Sequence, residues 1–275
     1  MQFESLPLFS KPYFSWKLTT DVIGRRLVYR PDTESTMDDA RRMLDRFRLT
    51  SGAVVLAETQ SEGRGRDGRS WVSPPDVNLL FTIVLMTDSL ADVRPLAYVT
   101  PLAIALAIEE TLAERGIDLR TDLKWPNDVQ IDGLKVAGVL IETTETAEGQ
   151  PVALVGVGLN VNMDVSLFPE LDGIATSIKV AAGIELPREE LLAAVCNHVE
   201  SLYDEALNGS DAPFGAWKDR LITLGREVTA SGAGETIQGV AVDVDYDGTL
   251  VIETAEGRRH RVDAGDVTLS ASAHQ

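Results

Sequence analysis

The stretch AETQSEGRGRDGRSW (Ala57–Trp71) places three glycines and three arginines together in a chain that is otherwise strongly acidic. The residues leading into it, Val54–Gln60, are rich in β-branched types and read as a strand. Gly63, Gly65 and Gly68 permit tight turns and close approach of the backbone to a ligand. Arg64, Arg66 and Arg69 add permanently charged forks that match carboxylate and phosphate geometry. The combination reads as a loop that grips an anion. Gly63–Gly68 also spells G-x-G-x-x-G after a strand, the form of a dinucleotide-binding turn. That reading requires a helix to begin at the loop, whereas Ser70-Trp71-Val72-Ser73 runs into Pro74-Pro75, which cannot form a helix interior. A solvated basic turn is the ordinary alternative, and the loop alone does not decide the matter.

With 275 residues, 44% of them hydrophobic, the chain can bury a substantial core as one large domain or a large and a small one. A formal net charge of −18 disfavours broad attraction to nucleic acid or anionic membrane, so the basic loop points to a small anionic ligand. The N-terminal residues lack the pattern of a signal peptide, and no apolar run approaches the roughly 18 residues of a membrane span. The single cysteine, Cys196, excludes internal disulfides and cysteine-based zinc sites. His198, His260 and His274 all fall in the last third, which disfavours a histidine-cysteine zinc site or a nucleophilic triad. The expectation is a soluble cytoplasmic protein without membrane or nucleic-acid partners.

In chain order, residues 1–26 read as an irregular arm and Arg26–Arg30 as a first strand. Ala40, Met43, Leu44 and Phe47 then recur at helical spacing, with Asp38 and Asp39 near the positive helix end. Ser35 or Thr36 is a natural N-cap, a role as ordinary for these residues as a ligand contact. Asn78–Met86 is a buried strand, Pro95–Arg115 a helix kinked or started by Pro101, and Val152–Val161 another buried strand in which Gly156 and Gly158 leave room. Asn160 and Asn162 close it, capping the strand end or reaching into a site. Asp132-Gly133 is a two-residue hairpin signal that pairs Asp122–Ile131 with Lys135–Thr144. This pairing puts Lys124, Asn127, Asp128 and Lys135 on neighbouring strands, and Gly138 lets a ligand approach the second of them closely. A solvated face is the common place for such lysines. The helix from Pro187 to about Leu207 carries Cys196 on its buried stripe, and a short helix, PFGAWKDRL, follows. From Gly225 to Leu269 short alternating strands separated by glycine turns indicate a small all-β domain. The boundaries are thus a large domain over 1–223, with 1–26 as its arm, a barrel over 224–270, and a mobile tail over 271–275.

Five pieces in this order, Ser35-Thr36-Met37, AETQSEGRGRDGRSW, KWPNDV (Lys124–Val129), LKVAGVLIE (Leu134–Glu142) and GVGLNVN (Gly156–Asn162), resemble the biotin protein ligases, in the form without an N-terminal DNA-binding domain. The resemblance implies an α+β fold: a catalytic domain related to class II aminoacyl-tRNA synthetases, with a mixed sheet and flanking helices, and an SH3-like C-terminal domain. It implies an ATP-dependent, AMP-forming biotin–[acetyl-CoA-carboxylase] ligase. Such an enzyme makes biotinyl-5′-AMP, with Mg²⁺ accompanying ATP, and passes biotin to a lysine of a biotin carboxyl carrier protein. No covalent enzyme intermediate is required, in keeping with the absence of a nucleophilic triad.

By this resemblance Lys135, Arg64 and Asp128 carry the catalysis. Ser35, Thr36, Met37, Gln60, Gly63, Arg64, Gly65, Arg66, Lys135 and Gly138 surround biotin. Arg66, Arg69, Trp71, Lys124, Asn127, Lys135 and Asn160 face ATP or the adenylate, with Trp71 placed to stack on adenine. Met37 departs from the family's usual asparagine. A homodimer is compatible with the assignment. A lipoate ligase of the same fold is the competing reading within the family, and a biotin-responsive DNA-binding repressor the competing one outside it. The second needs a helix-turn-helix for which about 26 residues are too few.

Overall fold

The computed structural model describes residues 9–44, 46, 49–232, 235–263 and 266–269. Phe47, His274 and the tail over 271–275 lie outside them. Seven strands form one mixed sheet: β1 (Leu27–Thr33), β2 (Ala53–Gln60), β3 (Leu79–Met86), β4 (Asp122–Lys124), β5 (Asp128–Ile131), β6 (Leu134–Glu145) and β7 (Pro151–Leu159), in the order β1-β2-β3-β7-β6-β5-β4. Only β1 and β2 run parallel; every other neighbouring pair is antiparallel. The apolar runs of β2, β3 and β7 are the central strands, with helices on both faces of them. The first helices in the chain are α1 (Lys11–Lys17) and α2 (Thr36–Leu44). They are followed by α3 (Leu96–Ala113), α4 (Ile178–Ala182), α5 (Arg188–Leu207) and α6 (Ala212–Lys218). Apolar residues surround α3 because it is buried between the sheet, α5 and α6, with Pro101 inside it one turn from its start. Five further strands, β8 (Glu227–Gly232), β9 (Glu235–Val244), β10 (Leu250–Glu253), β11 (Arg259–Val262) and β12 (Asp266–Leu269), form an antiparallel sheet of their own, in the order β11-β10-β9-β8-β12.

Two sequence expectations change. The arm contains helix α1, only seven residues long and so too short to show periodicity; Ser10 caps it by accepting from the Tyr13 amide at 3.4 Å. Acidic residues of α5 then hold it down: Glu190 pairs with Lys17 at 2.7 Å, and Glu200 accepts the amides of Val22 (2.9 Å) and Ile23 (2.6 Å). The stretch from Asp122 to Ile131 is two strands, because Trp125-Pro126-Asn127 turns the chain back and pairs Lys124 with Asp128. Asp132-Gly133 makes the expected hairpin, with both residues at positive φ, +52° and +79°. Cys196 is fully buried on α5, and burial pushes its thiol far above the ordinary range, so it is inert core.

One buried ion pair locks α5 to the sheet. Arg188, at the start of α5, donates to both carboxylate oxygens of Glu58 on β2 and to the Asn78 carbonyl (3.0 Å); the two side chains are 6% and 3% exposed. Replacing one partner strands a buried charge, whereas replacing both does not. Arg188→Ala is expected to lower the unfolding free energy by about 3–5 kcal/mol, and Glu58→Leu combined with Arg188→Leu by clearly less. Urea unfolding of the three proteins measures this, and a single variant within about 1 kcal/mol of the parent contradicts it.

Candidate functional site

A cavity of about 450 Å³ opens at the ends of β2, β6 and β7, and the residues singled out in the sequence converge on it: Ser35, Thr36, Met37, Gln60, Arg64, Gly65, Arg66, Arg69, Trp71, Lys124, Asn127, Asp128, Lys135, Gly138 and Asn160 line it. Of the expected set, Gly63 alone is set back from the wall; a side chain there would press on Gln60 and the Trp71 carbonyl. The volume suits a small cofactor-sized ligand.

Its floor is made of glycine. The register of β6 on β7 sets Gly138 opposite Gly158 and Leu140 opposite Gly156. A Cβ on Gly158 would lie 2.4 Å from the Trp71 ring, and one on Gly138 would lie 2.9 Å from the Lys135 Nζ and 3.1 Å from the same ring. A Cβ on Gly156 would lie 2.7 Å from the Met37 sulfur. The missing side chains therefore admit Trp71, Lys135 and Met37 onto the sheet. Lys135 Nζ stands 5.4 Å from the centre of the Trp71 ring, and Trp71 Nε1–H is buried with no acceptor among the described residues.

The polar end is built by α2. Thr36 opens that helix, and its hydroxyl is not spent on capping. Its amide (2.8 Å) and hydroxyl (3.0 Å) both donate to Gln60 Oε1, and Thr82 of β3 donates to the hydroxyl at 2.8 Å. Gln60 is thereby oriented with its amide nitrogen available to a ligand. Met37, 4% exposed, lines the same end.

The arginine loop folds back on itself: Gly65 N–H donates to the Arg69 carbonyl (2.6 Å) and Trp71 N–H to the Gly63 carbonyl (2.9 Å), around a single 3-10 turn, Arg66–Gly68, closed by Gly68 at φ +74°. Arg64 anchors it with two bonds to Asp38 of α2, 2.6 and 2.8 Å, with Glu142 at 3.9 Å. The Arg64 guanidinium holds the Asp38 carboxyl below its ordinary value, against the opposing effect of burial. Arg41 braces the same acids, 2.7 Å from Glu142 and 3.3 Å from Asp38.

At the other end Lys135 pairs with Asp128 at 2.6 Å. Asn127 and Asn160 line the cavity, yet their amides are committed to the scaffold: Asn127 donates to the Val139 carbonyl, and Asn160 donates to the Thr176 carbonyl (3.0 Å) and accepts from Asn78 (3.4 Å). Sequence reading missed two parts of the wall. Leu171, Ile174 and Ala175 reach it because the Lys135 amide bonds the Ile174 carbonyl, and Val267 and Thr268 come from β12 of the second sheet. Neither segment carries a local signal; only long-range pairing brings them there. Asp38 was legible as an acid at a helix start, but not as the partner of Arg64.

Residues 29–162 match the Biotin/lipoate A/B protein ligase family, and residues 223–270 match the Biotin protein ligase C terminal domain. The chain is 30% identical over 255 residues to the bifunctional ligase/repressor BirA of Bacillus subtilis, spanning 92% of this chain and 76% of that one. It is 32% identical over 221 residues to the biotin–[acetyl-CoA-carboxylase] ligase of Mycobacterium tuberculosis, 78% of each chain. The fold superposes on the biotin protein ligase of Aquifex aeolicus in complex with biotin and ATP, with a TM-score of 0.70, 28% identity, and coverage of 90% of this chain and 100% of that one. A glycine-floored cavity with an arginine loop at its mouth, and relatives of this similarity over nearly the whole chain, place the protein in its family: it belongs to the biotin protein ligases.

Proposed function

We propose that the cavity binds biotin with its head group between Ser35, Thr36 and Gln60, directs its carboxylate toward Lys135 and the arginine loop, and holds ATP on the side of Lys124 and the KWPND turn. The observation that carries this arrangement is the cavity's polarity: a neutral hydrogen-bonding end at Thr36 and Gln60, a glycine floor, and a cationic end at Lys135. Attack of one anion, a carboxylate, on another, the α-phosphate, is slow unless their repulsion is offset by preorganised positive charge. Lys135 meets that need because β6 and the Ile174 carbonyl fix its backbone while Asp128 holds its ammonium beside the floor. Mg²⁺ fits this site as a companion of ATP. Among the described residues there is no cluster of three metal-ligating side chains, so phosphate oxygens would dominate its coordination, with the Asp128 and Glu170 carboxylates on the cavity wall as hard oxygen donors. Bound there, the ion would supply charge neutralisation at the triphosphate.

In the second half-reaction the acceptor is a lysine of a biotin carboxyl carrier protein in the cytoplasm. Only about one ordinary lysine in 2,500 is neutral at pH 7. Asp128 is placed to orient that amine rather than to deprotonate it, and the mixed anhydride supplies the driving force.

Lys135→Ala is expected to lower biotin-dependent ATP–pyrophosphate exchange by about 10²–10³-fold with the fold intact; exchange at the parental rate would remove Lys135 from the catalytic set. Arg66→Gly should still form adenylate but let it escape, so that an unrelated bystander protein mixed with enzyme, biotin and MgATP becomes biotinylated. A bystander labelled no more than with the parent enzyme assigns retention elsewhere.

Arg64 acts here as the anchor of the loop. Because Asp38 titrates below its ordinary value near 3.8, the pair is intact above that value and is released only as pH falls through the lowered one. The Michaelis constant for biotin should therefore stay flat between about pH 8 and pH 5 as far as this pair is concerned. Asp38→Asn should raise it by about fivefold across that range. A variant indistinguishable from the parent would show that the loop holds without the pair.

A further inference from the structure

Trp125 sits in the KWPND turn, between the site residues Lys124, Asn127 and Asp128; it is only 2% exposed and, while it contributes to the cavity wall, its indole N–H reaches the C-terminal domain. Its Nε1–H donates to the Gly248 carbonyl at 2.7 Å, and its backbone amide donates to the Thr223 hydroxyl at 3.0 Å. Gly248 closes the turn Asp245–Gly248 between β9 and β10, where its φ of +85° is open to glycine alone at little cost. The same turn carries Tyr246, which stacks on Phe214 of α6 (4.5 Å between ring centres, 25° between planes), meets Tyr98 of α3 edge-on, and donates its hydroxyl to Asp211. The turn is thus a tongue of the small domain, gripped by aromatic rings of the large one, with its tip carbonyl on Trp125. Around it the connection between the domains is also fixed. Leu123 exchanges backbone bonds with Arg220 and Ile222 (3.0 and 2.9 Å), and Glu109 of α3 holds both Thr121 (2.8 Å) and Arg220 (2.6 Å).

We propose that Trp125 is a positioning residue through which the docked tongue sets the KWPND turn, so that the ATP side of the cavity is complete only when the C-terminal domain is seated. Val267 and Thr268 of that domain already form part of the same cavity wall. The biotin end, built by α2, β2 and β3, has no link to the tongue through these contacts, so the coupling acts on one substrate and not the other. This rests on the assignment of the KWPND side to ATP given above.

The test is ATP–pyrophosphate exchange by the full-length protein, with ATP and biotin varied separately, for the parent, Trp125→Phe, Tyr246→Ala, Tyr246→Phe and the double variant Trp125→Phe/Tyr246→Ala. Trp125→Phe removes the donor and keeps an aromatic ring; Tyr246→Ala loosens the tongue at a residue that does not line the cavity. Each should raise KM for ATP by about tenfold while KM for biotin stays within about twofold. Tyr246→Phe, which keeps the stack, should stay near the parent, and the double variant should be no worse than about the more severe single one, since both act on one contact. Parental KM values for ATP in Trp125→Phe and Tyr246→Ala would overturn the proposal, whatever happens to kcat, because a merely unstable protein loses active fraction and not affinity. A parallel rise in KM for biotin would overturn it too. A parent protein inactive in exchange would instead overturn the assignment of the site on which the proposal stands.

Discussion

The register of β6 against β7 is the constraint on which the site depends. It brings Gly138 and Gly158 face to face and leaves Gly156 two pairs along, so that a patch of the sheet at the cavity floor lacks side chains. Three side chains of the cavity rest on that bare backbone: the Trp71 ring, the Lys135 chain and the Met37 thioether occupy space that a single methyl group would contest at 2.4–2.9 Å. The register is itself fixed at one end by the turn between β6 and β7, where the Thr146 amide donates to the Gln150 carbonyl at 2.9 Å, since a slip of one residue would exchange the faces of β6 and turn Gly138 away from the cavity. The turn between β6 and β7 thus decides which residues of β6 face the cavity.

Charge is arranged around that floor by pairing. With a net charge of −18, the protein would repel both anionic substrates at long range if its cations were scattered. Arg64 and Lys135 stand on the cavity wall, each already held by one aspartate, Asp38 and Asp128. The arrangement has a cost and a use. Each aspartate offsets part of the positive field, but it holds a long, otherwise mobile side chain in one geometry, so less ordering entropy opposes substrate binding. The acidic residues nearest the site are therefore part of its construction.

Local signals in the sequence exposed the arginine loop, the hairpin and the small all-β domain, because glycine turns, apolar strand runs and Asp-Gly carry their structural meaning within a few residues, whereas the fold class came from the family resemblance. Lys135 and Gly138 stand out beside that hairpin for the same reason, whereas Gln60 is named by the resemblance alone. Helix α1 was not, since seven residues give no period to read, and the strand break at Trp125-Pro126-Asn127 was hidden inside an otherwise strand-like run. The partners of the site residues were less legible still. Asp38 with Arg64, Thr82 beneath Thr36, and Ile174 on the Lys135 amide are separated by 26, 46 and 39 positions and meet only through the sheet and its crossovers. Asn127 and Asn160 show the converse: asparagines beside a predicted site have their amides committed to backbone carbonyls. Residue type and spacing do not distinguish a ligand-facing amide from one that closes a backbone gap.

The placement of Trp125 follows from the same logic of long-range closure. β4 is three residues long and stands at the edge of the sheet, where it has a strand on one side only. An edge strand that short gains little from its ladder, yet it ends in Lys124 and is followed directly by the turn that supplies Asn127 and Asp128 to the cavity. The missing neighbour is provided from outside the sheet: the segment from Arg220 to Thr223 bonds Leu123 and Trp125, and the tongue of the C-terminal domain meets the indole. This edge of the sheet is thus completed from outside it, by residues 220–223 along Leu123 and Trp125 and by the small domain's Gly248 carbonyl on the indole.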